Sequence, residues 1–207
     1  FVDRYGGSIT VNGDPKGERE LLEMVSGLHQ YMICERIQQN QFLSDIYPHT
    51  VNSLRVITCL DSNTGEVFIP FAIQRFGTDI SAPTDNFSQR GVSAPLDIDS
   101  GRMGTVVMKG PNWERLTLSS HPDSGREITG TLLPNWPQVR DEMIRKLEQH
   151  PFFDYVGWDV VITQDGFSVI EGNHNQGNYL PHAHYSLLSD QRLRNFFMAK
   201  GVIRTTQ

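Results

Sequence analysis

The segment "YVGWDVVITQDGFSVIEGNHN", residues 155–175, places two apolar runs on either side of the turn signal Gln164-Asp165-Gly166. Such runs around a glycine-containing turn predict an antiparallel β-hairpin. With a three-residue turn and its glycine in the left-handed position, Thr163 pairs with Phe167. The register of this hairpin therefore determines which of its side chains face each other.

Counting outward from this turn places Asp159 directly opposite Glu171. Asn173 projects from the same face as Glu171, because side chains alternate along a strand. Two facing carboxylates repel unless a cation lies between them, and two carboxylates with an amide oxygen suit Mg²⁺. Two alternatives stay open: both acids are solvated on an exposed face, or a two-residue turn at Asp165-Gly166 moves Asp159 to the other face.

Hydrophobic periodicity outlines the other elements. It predicts an amphipathic docked helix over residues 18–32, a short strand at residues 31–37, and a hairpin from residues 52–60 and 66–75. Residues 77–101, rich in Gly, Pro, Ser, Asn and Asp, are interpreted as one long irregular loop. A helix is predicted after Asn135 as N-cap, with Trp136 on its apolar face, and a last one begins at Ser189 or Asp190 and ends at Gly201. This order predicts an α+β fold built on antiparallel sheet.

Composition excludes several classes of protein. The chain has 207 residues, 38% of them hydrophobic, which is enough for a substantial core. A formal charge of −6 argues against a general nucleic-acid surface. Cys34 and Cys59 show neither CxxC nor zinc spacing, so we expect free thiols, a reducing compartment and a cytoplasmic location. The most apolar run, "VFIPFAI", is too short to span a membrane. Because the chain begins at Phe1, in an apparent strand and without Met, we expect a domain cut from a longer protein.

A strand with an acid, a hairpin and a Glu-x-Asn element together resemble the magnesium site of the ATP-grasp superfamily, here Asp159, Glu171 and Asn173. Other segments resemble that family in its usual order: "VNSLRVIT" with Arg55, "FAIQRFG" with Arg75, and "TDNFSQRGVSA" with Asn86 and Gly91. The closest subgroup is the sugar-transfer associated ATP-grasp family, related to α-L-glutamate ligases. The resemblance implies an α+β ATP-grasp-like fold with ATP between two subdomains.

The amino-terminal segments resemble the remaining nucleotide-binding parts of the family. "YMICERI" resembles the hinge strand that contacts adenine, with Glu35 and Ile37 near the contact. "FVDRYGGSITVNG" resembles the lysine strand and glycine-rich phosphate loop, with Gly7 and Ser8 as loop residues. We therefore expect a small lysine and glycine-loop subdomain at residues 1–36 and a large subdomain carrying the metal site at residues 37–207.

The resemblance implies a ligase that uses Mg²⁺ and ATP to activate a carboxylate as an acyl phosphate for attack by an amine. Arg55 and Arg75 would act on the phosphates, and the partners would be a small-molecule or peptide carboxylate and an amine acceptor. Considered without the family, Arg55 is as compatible with a structural salt bridge, and Arg75 with a solvated position.

Two positions depart from the family pattern. Asp3 stands where the family has lysine, which inverts the charge next to phosphate, although Arg4 or Lys16 offers a replacement cation. Arg90 stands where the family has the first glycine of a pair. A degenerate domain that binds nucleotide without catalysis is therefore the first alternative, and a carbohydrate-binding β domain is the second.

The aromatic and histidine side chains do not by themselves indicate a ligand site. Trp136, Trp158 and Phe167 are expected in the core rather than stacked on a ligand. The cluster His174, His182 and His184 resembles transition-metal ligands, but no carboxylate or Cys set accompanies it and we favour a structural role.

Overall fold

The chain folds into two compact units, Phe1–Arg36 and Ile37–Gln207. The assignment of these units to particular ATP-grasp subdomains stays a prediction. The structure is a computed structural model, and it describes residues 2–5, 8–11, 14–30 and 35–204.

The first unit combines a small antiparallel sheet with one helix. Its strands, in the order in which they pair, are β1 (Val2–Tyr5), β2 (Ser8–Val11) and β3 (Asp14–Lys16). The helix α1 (Glu18–Ser26) starts after Gly17, whose N–H donates to Glu20 Oε2 at 2.8 Å. It ends at Ser26, six residues short of the predicted end at residue 32, and Gly27 is its C-cap; glycine is common at helix ends because it disfavours the helix interior. None of its residues is buried, so the docked apolar face expected from the sequence is not observed.

Among its described residues, the second unit forms a seven-stranded antiparallel sheet. The strands are β4 (Leu54–Leu60), β5 (Val67–Phe76), β6 (Val92–Pro95), β7 (Val106–Lys109), β8 (Arg115–Leu118), β9 (Tyr155–Ile162) and β10 (Phe167–Asn173). They pair in the order β10-β9-β4-β5-β6-β7-β8. The helices are α2 (Gln41–Ile46), α3 (Trp136–Glu148), α4 (Tyr179–His182) and α5 (Gln191–Ala199). The predicted α+β class is confirmed.

Side-chain alternation along β4 divides the core into two clusters. Leu54 and Val56 pack on one face of the sheet with α3 residues that include the fully buried Trp136. Arg55 and Ile57 project from the opposite face, where the second cluster includes residues of α5. The first cluster also contains Trp158 and Phe167, so the expectation that these three aromatics belong to the core is confirmed.

Both predicted helix starts in the second unit are close to those observed. Asp190 caps α5 by accepting a hydrogen bond from the Leu193 N–H at 2.7 Å, which confirms the second of the two predicted caps. Asn135 precedes α3 as predicted, but its φ is 56° and it makes no side-chain cap. Its Nδ2 instead donates to the carbonyl oxygens of Thr163 at 3.2 Å and Gly166 at 3.1 Å, so this asparagine joins the helix start to the β9–β10 turn.

Two predictions about irregular segments are wrong. Residues 77–101 are not one long loop, because they include β6 and a 3₁₀ turn at Phe87–Gln89. Four-residue strands carry too little periodicity to stand out from a Gly- and Pro-rich background. Residues 35–37 form no strand, and residues 31–34 of the same prediction lie outside the described residues.

The β9–β10 hairpin reaches the predicted acid pairing by another route. Ile162, rather than Thr163, pairs with Phe167, and the Thr163 N–H donates to the Gly166 carbonyl at 3.0 Å. The predicted three-residue turn is therefore wrong and the register near the turn differs by one. A β-bulge between Val169 and Glu171 supplies one extra residue and restores the register.

Two whole-chain expectations are partly tested. The described residues include no helix long and apolar enough to cross a membrane. Cys59 is a buried free thiol, as expected, whereas Cys34 lies outside the described residues.

Candidate functional site

A row of polar side chains crosses three neighbouring strands on the face of the sheet that also carries Ile57. Arg55 on β4 pairs with Asp159 on β9, and Asp159 pairs with Glu171 on β10. Asn173, two residues beyond Glu171, projects from that same face. The predicted opposition of Asp159 and Glu171 is thus confirmed, even though the predicted turn is not.

Arg55 and Asp159 form a two-point, nearly buried ion pair. Arg55 Nε donates to Asp159 Oδ1 at 2.7 Å, and Arg55 Nη2 donates to Oδ2 at 3.0 Å. Asp159 is only 6% exposed. Arg55 Nη1 reaches the side-chain oxygen of Gln176 at 3.2 Å. The planar guanidinium therefore satisfies both carboxylate oxygens at once, the geometry in which arginine is strongest.

Arg75 joins the same carboxylate from β5. Its Nη2 lies 3.1 Å from Asp159 Oδ1, and its Nε lies 3.5 Å from Asp85 Oδ2. The Ser53 hydroxyl contacts both Arg75 and Asp85, and the Ser53 N–H donates to Asp85 at 2.7 Å. Two arginines and two aspartates thus neutralise one another in a closed network, so Arg75 is not a solvated surface cation.

The arginines determine the ionisation of Asp159. Burial by itself would raise the pKa of this carboxyl group. The hydrogen bonds from Arg55 and the charge of Arg75 outweigh burial and lower that pKa. Asp159 is therefore ionised at neutral pH, as a carboxylate that binds a metal ion must be.

The three residues predicted to hold Mg²⁺ lie together. Glu171 is exposed, its Oε1 accepts a hydrogen bond from Asn173 Nδ2 at 2.8 Å, and it pairs with Asp159 across the hairpin. Among the described residues, no group of three or more His, Cys, Asp and Glu side chains could hold a metal. This donor set still fits Mg²⁺, which commonly takes one or two carboxylates and completes its shell with water and phosphate oxygens.

The loop after β5 holds two further residues suggested by the resemblance. Asn86 is exposed, and its Oδ1 accepts from the Ser88 N–H at 3.0 Å, which caps the 3₁₀ turn. Arg90 has a φ of 74°, the backbone region that glycine favours. Its Nε is buried without a hydrogen-bond partner in the described part of the chain. At Gly91 an added Cβ would lie 2.7 Å from the Asp85 carbonyl oxygen, so the close backbone approach requires glycine.

The residues predicted to contact adenine and to form the phosphate loop lie in or next to the amino-terminal unit. Glu35 is exposed and Ile37 is half-buried, and residues 35–40 form no strand. Gly7 and the side chains of Ser8 and Asp3 lie outside the described residues. The hinge and phosphate-loop assignments therefore stay predictions.

The three histidines do not form one cluster. His174 stacks on Phe153 with ring centroids 6.3 Å apart, and His184 Nε2 is 2.8 Å from the Ser93 hydroxyl. Burial lowers the pKa of His184 to about 4, with a smaller contribution from the charge of Arg115. His184 is therefore neutral at physiological pH.

Sequence reasoning missed four residues of this site, and two of them had a usable signal. Ser53 precedes Arg55 by two residues and so projects from the same face of the chain. Asp85 directly precedes Asn86, which the resemblance had singled out. Gln176 and Ser93 had no signal, because only the tertiary structure brings Gln176 to Arg55 and pairs Ser93 with Arg75 on the neighbouring strand.

The architecture and the site together indicate the class of protein to which the chain belongs. An α+β unit with a large antiparallel sheet, an arginine on each of two neighbouring strands and an acidic hairpin beside them is of the ATP-grasp type, and not the carbohydrate-binding β domain considered above. A profile of the sugar-transfer associated ATP-grasp family matches residues 18–195, and the chain belongs to that family. Comparison with curated proteins and with solved structures returned no match.

Proposed function

We propose that this chain binds Mg²⁺ and ATP and activates a carboxylate as an acyl phosphate, which an amine or a similar nucleophile then attacks. One observation carries the proposal: Arg55 and Arg75 converge on Asp159, beside Glu171 and Asn173. Two cations and two acids next to an amide oxygen can bind both phosphate and a divalent ion.

Phosphoryl transfer needs positioning and charge stabilisation more than a nucleophilic side chain. Arg75 would hold the transferred phosphoryl group, and Arg55 would hold a neighbouring phosphate while keeping Asp159 in place. Asp159, Glu171 and Asn173 would hold Mg²⁺, which when bound supplies positive charge to the phosphate oxygens. Each arginine would exchange part of its contact with Asp159 for a phosphate oxygen.

The reaction balances without any further co-reactant. A carboxylate oxygen of the substrate bonds to the γ-phosphorus as the bond from that phosphorus to ADP breaks. The amine nitrogen then bonds to the acyl carbon, phosphate leaves with the electrons of the carbon–oxygen bond, and the amine proton passes to solvent.

A domain that binds nucleotide without turnover is the second candidate. The arginines already occupy both oxygens of Asp159, and Asp3 stands at the position of the family's lysine. Both features favour binding over catalysis, because each weakens the positive charge available to phosphate.

Thermal unfolding with ATP or ADP, with and without Mg²⁺, tests both candidates. We expect either nucleotide to raise the Tm when Mg²⁺ is present, since a ligand at 100 times its Kd stabilises by about 2.7 kcal/mol. Glu171→Gln should reduce the magnesium-dependent part of the shift, whereas the matched change at the exposed Glu127, Glu127→Gln, should leave it intact. The absence of any shift with either nucleotide would refute both candidates.

Phosphate release separates ligase from binder. The ligase should release phosphate from ATP only when both a carboxylate and an amine are present. Nucleotide-dependent stabilisation without phosphate release across a panel of such pairs would favour the inactive binder.

A further inference from the structure

A second polar and aromatic site lies beside the arginine network. The cleft, of about 200 Å³, is lined by residues that include Phe87, Val107, Lys109, Trp113, Arg115 and Tyr179. Ligand pockets for drug-sized molecules typically measure about 300–1,000 Å³. This cleft therefore suits one ring with its substituents rather than a long chain.

The cleft shares a face of the sheet with the arginine network. Arg75 pairs with Ser93 on β6, and Ser93 pairs with Val107 on β7, so these three side chains project in the same direction. Lys109 lies two residues beyond Val107 and pairs with Arg115 on β8. With strands about 4.8 Å apart, two strand spacings put the column of Val107 about 10 Å from that of Arg75.

Hydrogen bonds also connect the two regions. Ser93 contacts His184 at 2.8 Å, and the preceding residue, Ala183, accepts a hydrogen bond from Arg115 Nε at 2.8 Å. Residues 183–184, at the edge of the cleft, are therefore held by hydrogen bonds to Ser93 on β6 and to Arg115 on β8.

The cations of the cleft have no acidic partner. In the parts of the chain that the structure describes, neither Lys109 nor Arg115 makes an ion pair. Glu114 is the acid that lines the cleft, and its Oε2 accepts from the Asn112 N–H at 2.7 Å, which holds the β7–β8 turn. Two unpaired cations in a chain of net charge −6 favour an anionic ligand.

Exposed aromatic rings form the other wall of the cleft. Trp113 is 68% exposed and Tyr179 is 44% exposed. Their ring centroids lie 5.8 Å apart, and Lys109 Nζ lies 3.7 Å from the Trp113 ring. Phe87 supports Tyr179 with centroids 5.7 Å apart. Large aromatics that are held in place while exposed offer a stacking surface for a ring.

The backbone at Trp113 gives independent support. Its φ is 68°, a conformation unfavourable for a bulky residue, and such outliers concentrate at ligand-binding positions. A glycine or an asparagine would adopt this backbone conformation with less strain.

We propose that this cleft binds a ring-bearing carboxylate as part of the substrate, with the ring on Trp113 and Tyr179 and the carboxylate at Lys109 and Arg115. The role as substrate rests on the proposed ligase function, but the binding itself does not. The group held here is distinct from the carboxylate activated near Arg75.

Calorimetric titration with two probes, benzoate and glucuronate, tests the proposal, with benzyl alcohol and glucose as the uncharged counterparts. We expect at least one carboxylate to bind saturably and about tenfold more tightly than its uncharged counterpart, a difference of about 1.4 kcal/mol. Trp113→Gly, which suits the positive φ, and Arg115→Met should each weaken that binding by about tenfold.

Two variants serve as matched controls outside the cleft. Phe152→Ala removes another exposed aromatic, and Arg126→Met removes another exposed cation. Neither should change the affinity. The proposal is overturned if neither carboxylate binds, if charged and uncharged probes bind equally, or if a control variant weakens binding as much as the cleft variants.

A parallel measurement separates this inference from the proposed function. The thermal shift with Mg²⁺ and ATP is recorded for the wild type, Trp113→Gly and Arg115→Met. A preserved nucleotide shift without carboxylate binding refutes the cleft proposal alone. Carboxylate binding without any nucleotide shift refutes the ligase function and the role of the cleft as a substrate site.

Discussion

Asp159→Asn should destabilise the second unit far more than an ordinary surface change. The wild-type carboxylate receives two hydrogen bonds from Arg55, at 2.7 and 3.0 Å, and a contact from Arg75 at 3.1 Å. Asparagine has nearly the same size but no charge. The change therefore removes the carboxylate that both guanidinium groups share and leaves the two cations close together.

The expected magnitude follows from burial. The side chains of Asp159, Arg55 and Arg75 are 9%, 13% and 14% exposed. Exposed ion pairs contribute about 0–1 kcal/mol, whereas removing one partner of a buried pair costs about 3–5 kcal/mol. We expect a loss in the second range. For a domain of this size that corresponds to a Tm lower by about 6–20 °C, at roughly 2–4 °C per kcal/mol.

Equilibrium unfolding in urea at pH 7 measures this loss directly. Glu171→Gln is the matched control, since Glu171 is the opposing acid but is exposed, and it should cost less than about 1 kcal/mol. Arg55→Met combined with Asp159→Asn should cost less than the sum of the single changes, because the two side chains share one interaction. A loss for Asp159→Asn no larger than that of the control would refute the interpretation of a buried, mutually dependent network.

Other predictions concern pH, the glycine loop and the buried thiol. The folded state lowers the pKa of Asp159, so the stability that its carboxylate contributes is fully present above the ordinary Asp pKa of about 4 and is lost as pH falls through the lowered value. The urea midpoint of the wild type should therefore decline below about pH 4 more steeply than that of Asp159→Asn. Arg90→Gly should leave stability unchanged or raise it by up to about 1 kcal/mol, because glycine fits a φ of 74°. Gly91→Ala should lower it by about 1–3 kcal/mol, because its Cβ would lie 2.7 Å from a carbonyl oxygen; equal urea midpoints for these two variants would contradict the loop geometry. Burial raises the pKa of the Cys59 thiol well above its usual value. In a Cys34→Ser variant, a thiol reagent at pH 8 should therefore modify the protein only after denaturant is added. Prompt reaction of the native protein would instead place Cys59 at the surface.

Long periodic elements could be predicted from the sequence, whereas short ones could not. The strands β4, β5, β9 and β10 and the helix α3 carry enough alternating or helical pattern to be recognised. The strands β6, β7 and β8 have four residues each, and their pairing depends on neighbours distant in sequence. Local pattern therefore found four of the seven strands of this sheet and missed the three that lie next to the aromatic cleft.

The candidate site shows a similar division. Arg55 was predicted from the family resemblance, and the pairing of Asp159 with Glu171 was predicted by counting along the hairpin, where the bulge offsets the wrong turn. What could not be predicted is that the arginines themselves would satisfy Asp159, since this depends on the tertiary placement of Arg75. The positive charge next to Asp159 is supplied by Arg55 and Arg75, on the side of Asp159 away from Glu171.

The bulge at Ile170 has a consequence for recognising this site in other sequences. Ile170 is the extra residue between Val169 and Glu171, and it is 51% exposed. A chain lacking it would still pair its equivalent of Glu171 with its equivalent of Asp159, because the bulge adds length to one strand only. The number of residues between the turn and the Glu-x-Asn element can therefore differ by one without changing the acid pair. A sequence pattern that fixes this interval would overlook proteins with the same constellation, whereas one that allows a single-residue gap would retain them.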